Sequence, residues 1–598
     1  VGSGWDGSTH LWDVATRTEI AKLVALDQQD WAVVDPIGRF DASPGGMDLV
    51  HWVVGNEPIA AHQLEERYFD PGLLAKLLGF GEEKPRDVSK FDRVELFPGV
   101  QFEGPVDATG KLRLKLVNRG GGIGKVQVFV NDKELVADAR GSKLNPNVSE
   151  ASITVNLASA PVSHGRPNTI RVVAWNEEGY LASPGDSISW TPSGAPDTRA
   201  PEFYAIISGI SNYTSPSIQR LMLPDSDAEE MAHALQLGAN RMFGVQHVHI
   251  TVLSTSHHAG VLAPTKENLK KAFEEAQHSK VSDVFVVYLA GHGVAVDDLY
   301  AYPTVEAPSL TFADHNVLAA ASVTSEELVD WIKKVPARHQ VMILDTCAAG
   351  AAAEKLTKRG MSGDQVRAIE RLKDRTGFYV LMGSAADAAS YEASQYGHGF
   401  LTYALLQGMK GAALKEGGFV DVDTLFQYAE DDVPVLARDI GAIQKPLIAA
   451  PQANSFEVGR LLEADKAAIH LASIRPMLER PVLLNVDEGG DTLQLVAMLR
   501  RRLRDGNYSP RGEDGDDSGS AIFVDKEDVS GAILPSGTYT VQGKQVTVKI
   551  GLWRDGKKLG TLSVSGTTDN LRELVDHMAA EISEAAQKLG TASGASKS

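Results

Sequence analysis

Short, mostly apolar runs at Phe203–Ile210, His247–Leu253, Val284–Ala290, Gln340–Leu344 and Gly377–Met382 alternate with amphipathic stretches at Ser226–Leu237, Lys266–Gln277, Ser325–Val335, Leu401–Met409 and Val422–Ala429. Apolar strands interleaved with helices predict a mostly parallel sheet covered on both faces. Upstream the period is two: Leu112/Leu114/Leu116, Val126/Val128/Val130, Ile153/Val155/Leu157 and Ile170/Val172/Ala174. Turn residues between these runs predict an antiparallel β-sandwich over 97–195. Gly120-Gly121-Gly122-Ile123-Gly124 is expected to be a hairpin turn, because no strand-to-helix pattern surrounds it. Ser193–Pro201 reads as a linker, followed by an α/β domain over 200–459. A smaller α+β unit is expected over 460–598, with a helical pattern through Leu503, an acidic loop at Gly512–Gly519, strands near Tyr539–Leu552 and Thr561–Val564, and a helix Leu571–Leu589. The tail from Thr591 is expected to be disordered.

The first 26 residues form two short alternating strands around Asp6-Gly7 and end in Trp12-Asp13, which resembles the second half of a WD-repeat propeller blade. Half a blade cannot bury its own faces, so further blades are expected before Val1. The chain opens without Met or a signal-peptide pattern and reads as a fragment. Residues 27–96, with a short helical pattern at Pro71–Leu78, read as an ordered connector.

A length of 598 residues implies about three to five domains. Lys and Arg number 58 against 78 Asp and Glu, a net charge of −20 without a dense basic stripe, so neither nucleic acid nor an anionic membrane is the expected partner. No apolar run has the length of a membrane span. The single cysteine excludes an intramolecular disulfide and a cysteine-based zinc site. It fits a reducing compartment such as the cytoplasm, and periplasmic proteins without disulfides fit as well.

That cysteine, Cys347, directly follows the run Val341–Thr346, and His292 directly follows the run Val284–Ala290, between Gly291 and Gly293. A thiol and an imidazole delivered by the ends of buried strands are the parts of a cysteine nucleophile with its base. Ligands of open parallel sheets bind beyond the carboxyl ends of the strands. If the two strands are neighbours, both residues face one crevice, and the amides of Gly293 and Cys347 are free to face a developing oxyanion. The plain alternatives are a buried small hydrophobe at Cys347 and a turn histidine at His292. Other histidines, His247, His249, His257, His258 and His398 among them, lack ligand spacing and read as surface or core residues.

The segment from Phe203 to Leu447 resembles caspase-like peptidases of the metacaspase and orthocaspase branch. The matching motifs are Gly209-Ile210-Ser211-Asn212-Tyr213, Asp227-Ala228, Pro264-Thr265-Lys266-Glu267-Asn268, Gly291-His292-Gly293, Asp345-Thr346-Cys347 with Gly350, Ser384-Ala385 with Tyr391-Glu392, and Gly399-Phe400-Leu401-Thr402. The resemblance implies a His292–Cys347 dyad, an oxyanion hole from the Gly293 and Cys347 amides, and a first specificity pocket floored by Asp227 and Asp345. It also implies propeller blades ahead of the peptidase in larger bacterial relatives; the sandwich over 97–195, read from its alternation, is expected to be Ig-like. Ala348-Ala349 stand where many relatives carry His-Ser. The acidic residues with which some relatives bind calcium have no match at the right spacing (Glu354 is the nearest), so no cofactor is expected, with calcium activation as the alternative that the resemblance leaves open.

Two buried carboxylates favour a cation and reject Asp, so cleavage after Arg or Lys is expected, Arg being favoured by its fork geometry. The alternative is that Asp345 caps a loop and Asp227 a helix N-terminus. Lys358 and Arg359 lie in the polar loop after Cys347 and are candidate self-cleavage positions. The expected partners are protein or peptide substrates, with further protein partners at the propeller and sandwich. The rival readings are a catalytically inactive caspase-like scaffold and a cysteine hydrolase acting on a non-peptide amide or ester.

Overall fold

A computed structural model describes the chain except for residues 6, 28–29, 55, 81–82, 92–93, 142–143, 257, 259, 297–298, 311–314, 349–362, 384–395, 439–443, 451–454, 472–474, 508–520, 526, 528–530 and 595–598. At 296, 315, 318, 347–348, 505–507 and 590–594 it describes the backbone alone.

The interleaved middle of the chain folds into strands β1 (Phe203–Gly209), β2 (Val248–Ser254), β3 (Val284–Val296), β4 (His339–Ala348), β5 (Tyr379–Gly383) and β6 (Leu447–Ala449). Their order across the sheet is β2-β1-β3-β4-β5-β6, with β6 alone antiparallel to its neighbour. The connecting helices are α1 (Pro224–Phe243), α2 (Lys266–Ala276), α3 (Ser325–Ile332), α4 (Gly363–Thr376), α5 (Phe400–Gln407) and α6 (Val422–Arg438). Alternate strand positions feed two cores, which is why the runs are apolar throughout. Val286, Tyr288, Val341 and Ile343 pack with α1, α5 and α6, whereas Phe285, Val287, Met342 and Leu344 pack with α2, α3 and α4.

Local signals set the helix starts. Thr324 and Glu327 form a reciprocal capping box at α3. Pro224 occupies the first turn of α1, where its missing N–H costs nothing and its φ is already helical. A Cβ on Gly209 would stand 2.0 Å from the Pro224 carbonyl oxygen. Only glycine there lets the start of α1, and with it Asp227, approach the sheet this closely.

Ahead of this domain lie two antiparallel sheets that share one apolar core, Leu112, Leu114, Val126, Val128, Ile153, Val155, Ile170 and Val172 among its members. Gly120–Gly124 does not close a hairpin. The flanking strands Lys111–Val117 and Val126–Val130 pair in different sheets, so the segment is the crossing between them. The N-terminal sheet also departs from expectation. It continues past residue 26 through Trp31–Val34 and Phe40–Ala42, because Lys22–Ala25 finds its next partner there.

Residues 482–567 contribute a four-stranded sheet whose face is covered by helices Leu495–Asn507 and Leu571–Gly594. The last helix therefore runs through Thr591, where disorder was expected. Position 459 is not a break in packing either, since Leu461, Ile469 and Met477 join the core beneath α1.

The β-rich region grips α4, the helix that follows the post-cysteine segment. Glu134, with a fully buried side chain, pairs with Lys333 and, at 3.4 Å, with Arg375 at the end of α4. Burial opposes its charge, yet these cations hold Glu134 below the usual carboxylate range. Lys133 donates to the Val335 carbonyl. Replacing Glu134 by Ala leaves two partly exposed cations without their partner, and a loss of about 1.5–3 kcal/mol is expected. Thermal unfolding checks this; an unchanged Tm would mean that the contact is not a structural tie.

Candidate active site

The β3–β4 pairing decides whether the sequence candidates meet. These strands are parallel neighbours, and their register sets Ala290 opposite Asp345, Gly291 opposite Thr346, His292 opposite Cys347 and Gly293 opposite Ala348. Adjacent strands lie about 4.8 Å apart, so the His292 and Cys347 backbones are as close as two sheet positions can be. Both residues were expected just past the strand ends. Instead they sit inside strands that continue to Val296 and Ala348. The strands run on because their last residues still find partners: β3 pairs on its other side with Leu299–Pro303. The order of the sheet reverses between β1 and β3, and the loop after β1 arches over this end.

That loop holds the histidine. His292 is 2% exposed. Its Nε2 lies 2.9 Å from the Gln219 carbonyl oxygen, which only accepts, so Nε2 carries the proton. The lone pair of the neutral ring is then on Nδ1, which has no hydrogen-bond partner among the described residues. The Tyr213 hydroxyl accepts the His292 N–H at 3.1 Å, and the two rings lie 5.3 Å apart. Burial, opposed in part by the Gln219 carbonyl, pulls the imidazole down to about 4. At neutral pH the ring is an uncharged base with its tautomer set. Gly291, at φ +147°, lets the strand run this close beneath the loop, since a Cβ there would press on the Tyr213 hydroxyl at 3.1 Å.

Gln219 was missed in the sequence, and no local signal marks it, because its backbone carbonyl does the work. Tyr213 belongs to one of the matching motifs.

Asp345 and Asp227 are 1% and 0% exposed. Asp345 accepts the Thr402 hydroxyl at 2.6 Å, and the Tyr288 hydroxyl lies 2.6 Å from the same Thr402 oxygen. Burial first, and the neighbouring Asp227 charge second, push Asp345 up to about 7. Asp227 accepts from His398 Nδ1 at 2.8 Å and from the Gly399 N–H at 3.0 Å. The two carboxylates therefore do share one buried region, although they come from α1 and β4. His398 is a core residue, as its sequence reading allowed, but its pairing with Asp227 was not foreseen.

Lys358, Arg359 and Glu354 lie outside the described residues, as do Ser384-Ala385 and Tyr391-Glu392. Among the described residues no cluster of His, Cys, Asp and Glu has the arrangement of a metal site, and no helix is long and apolar enough to cross a membrane.

Residues 202–456 match the family described as Caspase domain. No curated protein matches the chain. Among solved structures the chain is similar to caspase-1 from Spodoptera frugiperda, at 13% identity and a TM-score of 0.28, over 44% of this chain and 91% of that one. The structure of pro-sf-caspase-1 follows at 11% identity and a TM-score of 0.27, over 42% and 91%. A polysaccharide deacetylase from Bacillus cereus gives 10% identity and a TM-score of 0.13, over 46% and 78%. All three TM-scores are low, and the assignment rests on the family match. The middle of the chain is a caspase-like α/β domain behind a β-rich N-terminal region, and this domain supports a cysteine peptidase with protein substrates.

Proposed function

We propose that the chain is a cysteine endopeptidase that hydrolyses peptide bonds after Arg or Lys through His292 and Cys347. The observation that carries the proposal is their placement opposite one another on adjoining parallel strands, with a buried carboxylate pair beside them.

In this reading Nδ1 of His292 takes the thiol proton, and the Cys347 sulfur attacks the scissile carbonyl carbon. The amides of Gly293 and Cys347 receive the oxyanion. His292 returns the proton to the leaving amine as the C–N bond breaks. Water then attacks the thioester, its proton passing through His292 back to sulfur. Asp345 and Asp227 hold the substrate cation. The Caspase domain match supports this chemistry over an inactive scaffold.

The metacaspase or orthocaspase branch, the WD-repeat and Ig-like character of the β-rich region, and its role in recruiting protein partners belong to the same proposal. So does self-processing after Lys358 or Arg359, for which an intact chain after prolonged incubation, indistinguishable from Cys347→Ala, would be the negative result.

The test is a panel of fluorogenic peptides identical except for Arg, Lys, Asp or an uncharged residue before the cleaved bond. Arg is expected to be cleaved best, Lys next and Asp not at all. Equal turnover of all four would refute the basic specificity, and preferred hydrolysis of simple esters would favour the non-peptide reading.

The same panel read against pH separates the two ionisations. His292 stays neutral down to about pH 4, whereas Asp345 loses its charge as pH falls through about 7. For the Arg peptide kcat/KM should therefore fall by about tenfold per pH unit below 7. An acid limb at the ordinary histidine value of about 6.5 for Arg and uncharged peptides alike would contradict this assignment.

A further inference from the structure

The segment that opens α5 touches both carboxylates of the proposed specificity pocket. His398 and the Gly399 N–H reach Asp227 on α1, and Thr402, one turn on, reaches Asp345 on β4. All of the side chains concerned are buried: His398 and Asp227 are 2% and 0% exposed, and Asp345 and Thr402 are equally enclosed. Asp227 has a donor on each oxygen. Asp345 is held through Oδ2, while its Oδ1 faces the end of β5, where a Cβ on Gly383 would stand 3.2 Å away.

We infer that His398 is a specificity-determining positioning residue, which acts through Asp227 to hold the carboxylate pair of the pocket in place for an Arg or Lys side chain. Asp345 is the carboxylate that meets the substrate cation, and Asp227 is the fixed anion behind it. The inference rests on the basic-pocket reading given above.

The argument is one of placement. The His398 N–H and the Gly399 amide hold one oxygen each of Asp227, and Thr402 on the same helix holds Asp345. Without His398 one oxygen of Asp227 loses that donor, and the carboxylate is no longer fixed behind Asp345. The negative end of the pocket is then less well aimed, and its affinity for a guanidinium or ammonium falls. A purely structural histidine would affect folding without discriminating between substrates.

His398→Asn and His398→Ala separate these roles, because the Asn amide places a donor near the position of Nδ1 and Ala places none. KM for the Arg peptide should rise about tenfold or more in His398→Ala, by more than kcat changes, and His398→Asn should recover most of it. The rate at which uncharged iodoacetamide labels Cys347 is read in parallel on both variants. Equal KM values for wild type, Ala and Asn would overturn the inference, and so would identical losses in Ala and Asn. If His398→Ala fails to fold, the comparison of wild type with His398→Asn and His398→Gln still decides, since Gln sets its donor one bond further from the backbone and should rescue less. A wild type that is labelled at Cys347 but cleaves no Arg peptide overturns the basic-pocket reading and this inference together. A wild type that cleaves Arg peptides alongside an unaffected His398→Ala overturns this inference alone.

Discussion

Cys347→Ala is expected to lower Arg-peptide turnover by at least about 10⁴-fold, the scale at which loss of a nucleophile leaves only binding and oxyanion stabilisation. Thermal stability should change little by comparison. The reason lies in the register: position 347 is the one point on β4 that stands directly opposite His292. His292→Ala should cost nearly as much, and the double variant should be no worse than either single one, because the two act as a unit. Additive losses would show that the cysteine and the histidine do not share a reaction. Undiminished turnover in Cys347→Ala would remove the cysteine mechanism altogether, whatever the fold.

Asp345→Asn should move activity and stability in opposite directions. For the Arg peptide, kcat/KM is expected to fall about 10²–10³-fold, the usual loss when one side of a buried charge contact is removed. Stability has the other sign. The carboxyl of Asp345 is raised in the fold to about 7, so the folded chain holds a proton that the unfolded chain releases near pH 4. The contribution of this group to stability is therefore fullest below pH 4 and is lost as pH rises through 7. At pH 8 the wild type carries an ionised carboxylate in a place that disfavours it. Asn keeps an oxygen for the Thr402 hydroxyl without that charge, so Tm at pH 8 should rise by at least about 2 °C. At pH 4 the gain should vanish. A Tm that falls equally at both values would mean that Asp345 serves the fold and not the pocket.

Why some of this could be read from the chain and some could not follows from how local each signal is. The strands Phe203–Gly209 and Val284–Val296 announce themselves as apolar runs, because burial on both faces leaves no polar alternation. The Thr324–Glu327 capping box and Thr265 at the start of α2 mark helix ends within four residues. Their ends were less legible: β3 outlasts its apolar run by six residues, from Ala290 to Val296, because pairing to Leu299–Pro303 continues after the hydrophobic signal stops. The hairpin assigned to Gly120–Gly124 failed for a similar reason. Glycines declare a change of direction but not which sheet receives the next strand.

The sequence by itself determined the alternation of strand and helix, the lone thiol beside one strand end, the imidazole between two glycines beside another, and the carboxylate of Asp345 two residues before the thiol. These are properties of composition and short-range order. Only the tertiary structure decided that β3 and β4 are neighbours in a register that sets His292 against Cys347. It alone brought the Gln219 carbonyl to the ring and gathered Asp227, Asp345, His398 and Thr402 into one buried group. Those contacts span 57 to 171 residues of chain. Strand adjacency is chosen by how whole faces pack, and a carboxylate's charge by which groups enclose it, and neither is written in any short stretch of sequence.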